Sequence, residues 1–397
     1  MRAMQYLKRN VPLLALCQAL MMSGNSLMVT SAALVGFALA EDKSLATLPL
    51  AAQFLATMLA SAPASLLMGR FGRKPVFLAA TLIGLGGALL ATWAIIHGSF
   101  WLFCAGAALT GTFNGFGNYY RFAATEVVPI ERRARAISAV LAGGVVAAVV
   151  GPNLANWAQD LIGDARFAGG FAAVAGLQLI AAAALSATRL AKPLRKAAEG
   201  EARPLLQIAA QGRFIVAVLC AMLGYGVMSL VMTATPLAMQ QHQHPFGDTA
   251  LVIQWHVLGM FAPSFVTGRL IERFGVGNVL LAGALLAAAC LGINLYGQQL
   301  WHFWSALLTL GVSWNFLFIG GTALVTECHS AAERPKVQAL NDTLIFTTVT
   351  LAALSAGALQ HSFGWQAVNQ GVIAPVALML LAVLWLKLQP RATAAAG

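Results

Sequence analysis

Arg121 and His256 are ionisable residues that fall well inside long apolar stretches of this 397-residue chain. A charge placed in hydrocarbon costs at least about 2.5 kcal/mol, so a group retained there is a functional candidate. Arg121 follows Asn118, Tyr119 and Tyr120. A guanidinium flanked by donors and rings suits a carboxylate or another anion; the competing uses are snorkelling to the membrane surface or pairing with Glu126. His256 follows Gln254 and Trp255, and its imidazole is suited to binding a substrate, to carrying a proton near neutral pH, or to a purely structural hydrogen bond. Buried amides also need partners in apolar surroundings. Gln18, Asn25, Gln53, Gln254, Asn114, Asn118 and Asn315, with Trp314, are therefore further candidates for a polar substrate cavity, although bonds between helices would satisfy them equally.

Other charges form groups that suit a gate. Glu126 and Glu327 each precede a basic cluster, Arg132, Arg133 and Arg135 in one case and Arg334 and Lys336 in the other. Carboxylates at helix ends within reach of such groups make charge-assisted bonds that form in one state and break in another, or else static ion pairs. Asp342, early in an apolar stretch, reads as a gate or capping residue. His242 and His244 lie in a polar loop, where one such pair is weak grounds for a metal site. No phosphate-cradling loop, nucleophile elbow or zinc spacing appears. Catalysis, ATP hydrolysis, a cofactor and a bound metal are not expected. Cys17, Cys104, Cys220, Cys290 and Cys328 fall in apolar stretches or at their ends, so disulfides are not expected either.

The elements that must carry these groups are membrane helices. Hydrophobic residues make up 59% of the chain, charged residues 9%, and mean hydropathy is +0.77, against about 25% charge in a soluble globule. A span needs about 20 residues, and stretches of that order lie at 11–39, 46–69, 75–96, 100–128, 134–158, 166–188, 213–238, 248–270, 276–296, 301–328, 336–360 and 365–388. The alternation of a β-barrel strand is absent. The first stretch is too long for a signal peptide and lacks a small-residue cleavage site, so it reads as the first helix.

The twelve spans are two copies of six. Ser26-Leu27-Met28-Val29-Thr30 returns as Ser229-Leu230-Val231-Met232-Thr233, and Arg70-Phe71-Gly72 returns as Arg273-Phe274-Gly275, both 203 positions later; Thr125-Glu126 returns as Thr326-Glu327 at 201. The register puts His256 in the slot that Gln53 holds in the first copy. A polar break at 189–212 separates a bundle at 1–188 from one at 213–397. With both termini cytoplasmic, only Lys43 and Arg166 face out and only Arg121 lies well inside a helix; the other Lys and Arg residues fall at the inner face. The net charge of +11 is thus a topological bias and not a nucleic-acid footprint. The break at 189–212 is a solvated linker or a basic strip on the anionic leaflet. Trp93, Trp101, Trp157, Trp301, Trp304 and Trp365 near outer ends, and Trp385 near an inner one, read as interfacial anchors.

Gly69-Arg70-Phe71-Gly72-Arg73-Lys74 and Gly268-Arg269-Leu270-Ile271-Glu272-Arg273-Phe274-Gly275 resemble the inner-loop motif G-x-x-x-D-R-x-G-R-R of the major facilitator superfamily. With the duplicated layout, the resemblance covers essentially the whole chain. It implies an all-α membrane protein with twelve transmembrane helices in two pseudo-symmetric six-helix bundles, a secondary transporter working by alternating access. It also implies that Arg70, Arg73, Lys74, Glu272 and Arg273 clamp neighbouring helices. The first copy has Gly69 in the acid's place and the second lacks the final basic pair, so the clamp is asymmetric. Asn114, Gly115 and Gly117 fit the family's R-x-x-Q-G-x-G motif, but Gly111 stands where its arginine would be. Gly151-Pro152 is a degraded form of the antiporter G-x-x-x-G-P-x-x-G-G pattern.

The expectation is a monomeric carrier of a small molecule in a bacterial inner membrane. Its simplest driving force is a proton gradient, with His256, Glu126, Glu327 or Asp342 as proton site. The Gly-Pro helix favours export of amphipathic compounds, whereas Arg121 and the missing arginine favour uptake of a small organic anion. A membrane scaffold or sensor without transport is the remaining alternative.

Overall fold

Small residues and glycines at helical spacing let apolar helices approach closely in lipid, where packing rather than hydrophobic collapse holds helices together. In the computed structural model, residues 2–129, 136, 139–140, 142–190, 203–330 and 332–388 are described, apart from the side chains of 2–8, 334 and 335. The helices are α1 (Arg2–Leu39), α2 (Leu48–Phe71), α3 (Arg73–Ile96), α4 (Phe100–Gly117), α5 (Tyr120–Glu126), α6 (Gly143–Ala158), α7 (Ala168–Ser186), α8 (Leu205–Ala209), α9 (Gly212–Gln241), α10 (Phe246–Phe261), α11 (Ser264–Phe274), α12 (Val276–Tyr296), α13 (Leu300–Thr326), α14 (Arg334–Gly371) and α15 (Ile373–Leu388). No strand occurs among the described residues.

Eight of these runs are long and apolar enough to cross a bilayer, or nine when the bent pair α10–α11 counts as one span. One of them, Lys336–Leu388, is 53 residues long and is broken at Gly364, where φ is 77°. Together with α4–α5 and α6, this agrees with twelve passes.

The duplication reappears as packing. Helix α1 packs on α6 and α7 as α9 packs on α14 and α15; α4 packs on α2 and α3 as α13 packs on α10 and α12; α3 meets α7 as α12 meets α15. Across the halves α6 meets α10 and α2 meets α14, the two seams that a pseudo-two-fold axis requires. The repeated loop glycine is a conformational necessity: Gly72 (φ 90°) and Gly275 (φ 83°) each end one helix and begin the next in a region that L side chains rarely adopt.

Gly111 explains the missing motif arginine. A Cβ at this position of α4 would fall on the carbonyl oxygen of Gln53 and within 2.8 Å of its Cα, while Thr57 Oγ1 donates to Gly111 O across the same contact at 3.0 Å. An arginine cannot be seated there without separating α2 from α4. Gly111→Ala is expected to destabilise the protein by about 1–3 kcal/mol, measured as a loss of thermal stability in detergent, whereas Gly69→Ala, which meets open space, should change little.

Two breaks were not foreseen. Helices α10 and α11 meet at 43° around Ala262 and Pro263, where Pro263 interrupts the backbone ladder. Asn315 Nδ2 donates to the carbonyl of Met260 at 2.6 Å and to Ser264 Oγ at 2.7 Å, and its oxygen accepts from Thr267 Oγ1 at 2.6 Å. Helices α4 and α5 are separated by a turn at Asn118 and Tyr119, pinned where Tyr119 OH donates to Ser61 O at 3.0 Å.

The tryptophan belt needs one correction. Trp93, Trp101, Trp157, Trp301 and Trp385 are exposed, as anchors should be, but Trp365 is 2% exposed and packs on Phe303 with ring centroids 5.3 Å apart, while Trp304 is half-buried against Trp255.

Candidate functional site

Charged clamps stand at the basic end of the bundle, one per half. In the first half, Arg73 Nε donates to Glu126 Oε2 at 2.6 Å and its second nitrogen reaches the other carboxylate oxygen. Lys74 Nζ donates to the carbonyls of Ser186 and Thr188 at 2.7 and 2.9 Å, tying α3 to the end of α7. In the second half, Glu327 accepts from Arg213 at 2.9 Å. Arg213 lies on α9 and takes the role of the basic residue that the second loop motif lacks. The described partners of the two glutamates are Arg73 and Arg213; Arg132, Arg133, Arg135 and the side chain of Arg334 lie outside the described residues.

Lys336 is directed elsewhere, to the carbonyl of Arg203. Arg203 in turn grips Glu333 through two bonds of 2.7 and 2.8 Å, and Ser330 N donates to Glu333 at 2.8 Å. These bonds hold the Glu333 carboxyl well below the ordinary carboxylate range, Arg203 being the largest cause. The latch is therefore intact at neutral pH and is lost only as pH falls through that depressed value. Arg70 and Arg273 lie over the neighbouring rings of Phe71 and Phe274, each 5.2 Å from the centroid, and Glu272 is exposed beside them.

Several bonds and ring contacts that join the halves lie toward the opposite, far end. Thr47 Oγ1 accepts from Gly357 N at 3.0 Å, Phe37 meets His361 at 6.4 Å, and Phe167 meets Phe246 at 4.9 Å. Midway along, Asn153 Nδ2 donates to Gln254 Oε1 at 2.6 Å across the α6–α10 seam, so Gln254 serves that interface and not a cavity. At the basic end the described ion pairs close within their own half, and Arg121 of α5 and Asp342 of α14 are exposed, each within the field of the other. Asn341 Nδ2 donates to Asp342 Oδ1 at 3.1 Å.

The amide candidates form a network inside the first half. Gln53 Nε2 and Asn114 Nδ2 both donate to Asn25 Oδ1, the latter at 2.7 Å. Beside them is a void of about 20 Å³ lined by Gln53 and Gln178 together with Met21, Met28, Phe171 and Val174; a void of this size has room for one water. Gln18 is 6% exposed on α1, and Asn118 is the C-cap of α4, its N–H donating to Asn114 O at 3.0 Å.

His256 makes a hydrogen bond of the structural kind. It is fully buried, and its Nδ1 lies 2.7 Å from the carbonyl of Leu307. The ring bridges α10 to α13, and its Nε2 is buried without a partner. Gln, the residue of the matching slot, can donate the same bond. His256→Gln is therefore expected to keep gradient-driven transport within about twofold of wild type and leave its pH profile unshifted; collapse of accumulation in proteoliposomes would return the proton role to this ring.

An aromatic cluster occupies the second half where α9, α10, α13 and α14 converge. Tyr225 meets Trp314 at 5.2 Å, Phe318 at 5.6 Å and Phe346 at 6.3 Å; Trp314 stacks on Phe318 at 4.9 Å and 8°, and Phe261 meets Trp314 at 5.9 Å. The Trp314 Nε1 donor is buried without a partner. Phe54 of α2 reaches across from the first half onto the same small core, Ala221, Ile345 and Val349, that Tyr225 and Phe318 touch. Sequence reasoning found Trp314 alone; the i, i+4 pairing of Trp314 with Phe318 was the available signal for a face.

Two pseudo-symmetric helical halves, each with its own ion-pair clamp, define the architecture of a membrane carrier. A model of the Major Facilitator Superfamily matches residues 14–242 and 217–396, and the chain belongs to that family. Over 391 residues it is 42% identical to the riboflavin transporter RfnT of Brucella anthropi, covering 98% of both chains. It is 31% identical over 321 residues to YdeG, an uncharacterized MFS-type transporter of Bacillus subtilis, covering 76% of this chain and 74% of that one. Among solved structures, a D-xylose–proton symporter superposes with a TM-score of 0.73 at 16% identity, covering 95% of this chain and 96% of that one; at that identity the likeness is one of fold. The protein is a multi-pass membrane transporter of a small organic molecule.

Proposed function

We propose that this chain carries riboflavin, or a flavin with the same three-ring system, into the cell by alternating access, driven by protons. The observation that carries the reading is the aromatic cluster around Trp314. A flat, neutral heteroaromatic ring gains offset stacking and edge contacts from such a cluster, and the buried indole N–H of Trp314 has no partner among the described residues, which leaves it a hydrogen bond to give. The name of the relative with 42% identity over nearly the full length supports the same substrate.

Export of drug-like cations has less to stand on. The motif arginine associated with drug and proton exchange has no room at Gly111, and the Gly151-Pro152 pair is accounted for by helix packing, since Gly151 lies against the backbone of Ser23 and Leu27. An organic anion would meet Arg121 with Asp342 opposed to it, a balance better suited to a neutral substrate.

The test is transport of riboflavin into proteoliposomes holding the purified full-length protein. Saturable uptake that an inward proton gradient turns into accumulation is expected. Absence of riboflavin flux, or outward flux of a cationic dye in its place, overturns the reading.

A further inference from the structure

Arg9, at the start of the first span, and Lys74, in the first turn of α3, converge on the end of α7. Arg9 Nη2 donates to Ala187 O at 3.0 Å, and Lys74 Nζ donates to Ser186 O and Thr188 O at 2.7 and 2.9 Å. The three carbonyls are consecutive, so the guanidinium and the ammonium stand within the width of one lipid headgroup. Asn10 holds the next residue in place: its Nδ2 donates to Arg189 O at 2.9 Å, and its Oδ1 accepts from Arg189 N at 3.1 Å. Both cations are thus positioned by α1, α3 and α7 together.

Capping the last carbonyls of α7 is one use of these charges, since the C-terminal end of a helix attracts cations. It does not account for a pair of them. The register of 203 positions puts Gly212 in the slot of Arg9 and Gly277 in the slot of Lys74. The second half closes the matching joint with one cation, Lys387, whose Nζ donates to Asn278 Oδ1 at 2.7 Å. The scaffold therefore needs no such pair. No carboxylate among the described residues neutralises it either, the ion pairs there being Arg73–Glu126, Arg203–Glu333 and Arg213–Glu327. The carbonyls take one guanidinium N–H and two ammonium N–H groups, which leaves donors on both cations for a further acceptor.

We propose that Arg9 and Lys74 form the headgroup seat of an anionic phospholipid from the leaflet at the basic end. Arg9 is exposed and Lys74 half-buried, and a phosphodiester offers charged oxygens that take charge-assisted bonds from both. Toward the middle of the membrane the same helices turn apolar side chains outward, Leu82 and Ile83 on α3 and Leu179 and Ile180 on α7. At 1.5 Å per residue these lie about 9–13 Å from the cations, past the headgroup layer of about 5–8 Å and among the acyl chains. Basic pockets between membrane helices select anionic headgroups by this combination. A soluble phosphate ester finds the same charges but has no use for the apolar track.

The test is titration of the full-length protein in neutral detergent with phosphatidylglycerol, read by native mass spectrometry. Wild type should hold a phosphatidylglycerol that an equal amount of phosphatidylcholine does not displace. A Lys or Arg at an anionic surface contributes about fivefold in affinity, so Arg9→Gln combined with Lys74→Gln should weaken binding about thirtyfold. Arg9→Glu, an exposed change that keeps the Lys74 tie, should do the same by reversing one charge, and it decides the matter if the double variant fails to fold. Lys387→Gln, which removes the cation of the matching joint, should bind within twofold of wild type. Glycerol phosphate, the headgroup without its chains, should not compete. Wild-type affinity in the folded Arg9→Glu protein, loss of binding in Lys387→Gln, no preference over phosphatidylcholine, or displacement by glycerol phosphate each overturns the inference.

Discussion

Trp314→Ala will weaken riboflavin binding about thirtyfold and abolish transport at low substrate concentration, while Trp314→Phe will hold the loss to about fivefold. A base stacked on an aromatic side chain loses about 1–3 kcal/mol when the ring is cut to alanine, and about 1.4 kcal/mol is a factor of ten in affinity. Trp314 lies face to face with Phe318 and edge-on to Tyr225 and Phe261, so its removal empties the middle of the cluster and takes the buried indole donor with it. Phenylalanine keeps the stack and loses only that donor. Fluorescence quenching of riboflavin by the purified protein reads both values, and thermal stability in detergent separates lost binding from lost folding. Unchanged affinity in a folded Trp314→Ala protein would remove the cluster from the substrate path.

The fold was legible because membrane helices announce themselves by length and apolarity, and because a duplicated chain aligns with itself. The 203-residue register that joins Gly72 to Gly275 also joins Gln53 to His256, and both pairs occupy matching places in the folded halves: a glycine of the fourth or tenth span, Gly111 or Gly311, presses on the backbone of the residue in that slot. The side-chain chemistry was less legible. His256 and Gln53 hold equivalent positions, yet one is a lone bridge to Leu307 and the other belongs to a network with Asn25 and Asn114. Burial in lipid leaves a polar residue two outcomes, a helix-to-helix bond or a cavity, and residue type does not choose between them.

Partners far apart in sequence were the second loss. Glu327 reaches Arg213 on α9, although the nearest basic residues in the chain are Arg334 and Lys336. Arg203 and Glu333 drew no notice, because a linker arginine carries no periodic signal. Aromatic residues posed the same difficulty: Tyr225, Phe261, Phe318 and Phe346 read as ordinary membrane residues until α9, α10, α13 and α14 bring them to one place. The two halves therefore share a scaffold, and the Trp314 ring cluster belongs to the second.

Asp342→Asn is expected to uncouple the carrier. On the proposed reading the substrate, riboflavin, is neutral, so a proton gradient would drive its accumulation only through a group on the protein that takes a proton on one side and yields it on the other. Asp342 is an exposed carboxylate on α14, and the charged groups that face it are few. Arg121 acts on it from the first half, and Asn341 donates to it from its own helix. When the basic end closes, α5 and α14 approach, and an ionised Asp342 meets Arg121; when that end is open, the carboxylate is free to exchange its proton with water. A gradient of one pH unit with one proton per substrate supports about tenfold accumulation. Asparagine keeps the size and cannot cycle a proton, so accumulation should fall to about onefold, whereas exchange of internal for external riboflavin without a gradient should continue within about threefold of wild type. Asp342→Glu should restore accumulation. Glu126→Gln, which releases Arg73 from its clamp, should instead slow accumulation and exchange together, because a gate serves both. Full accumulation by the asparagine variant would move the coupling proton away from this pair and leave Asp342 as a gate residue alone.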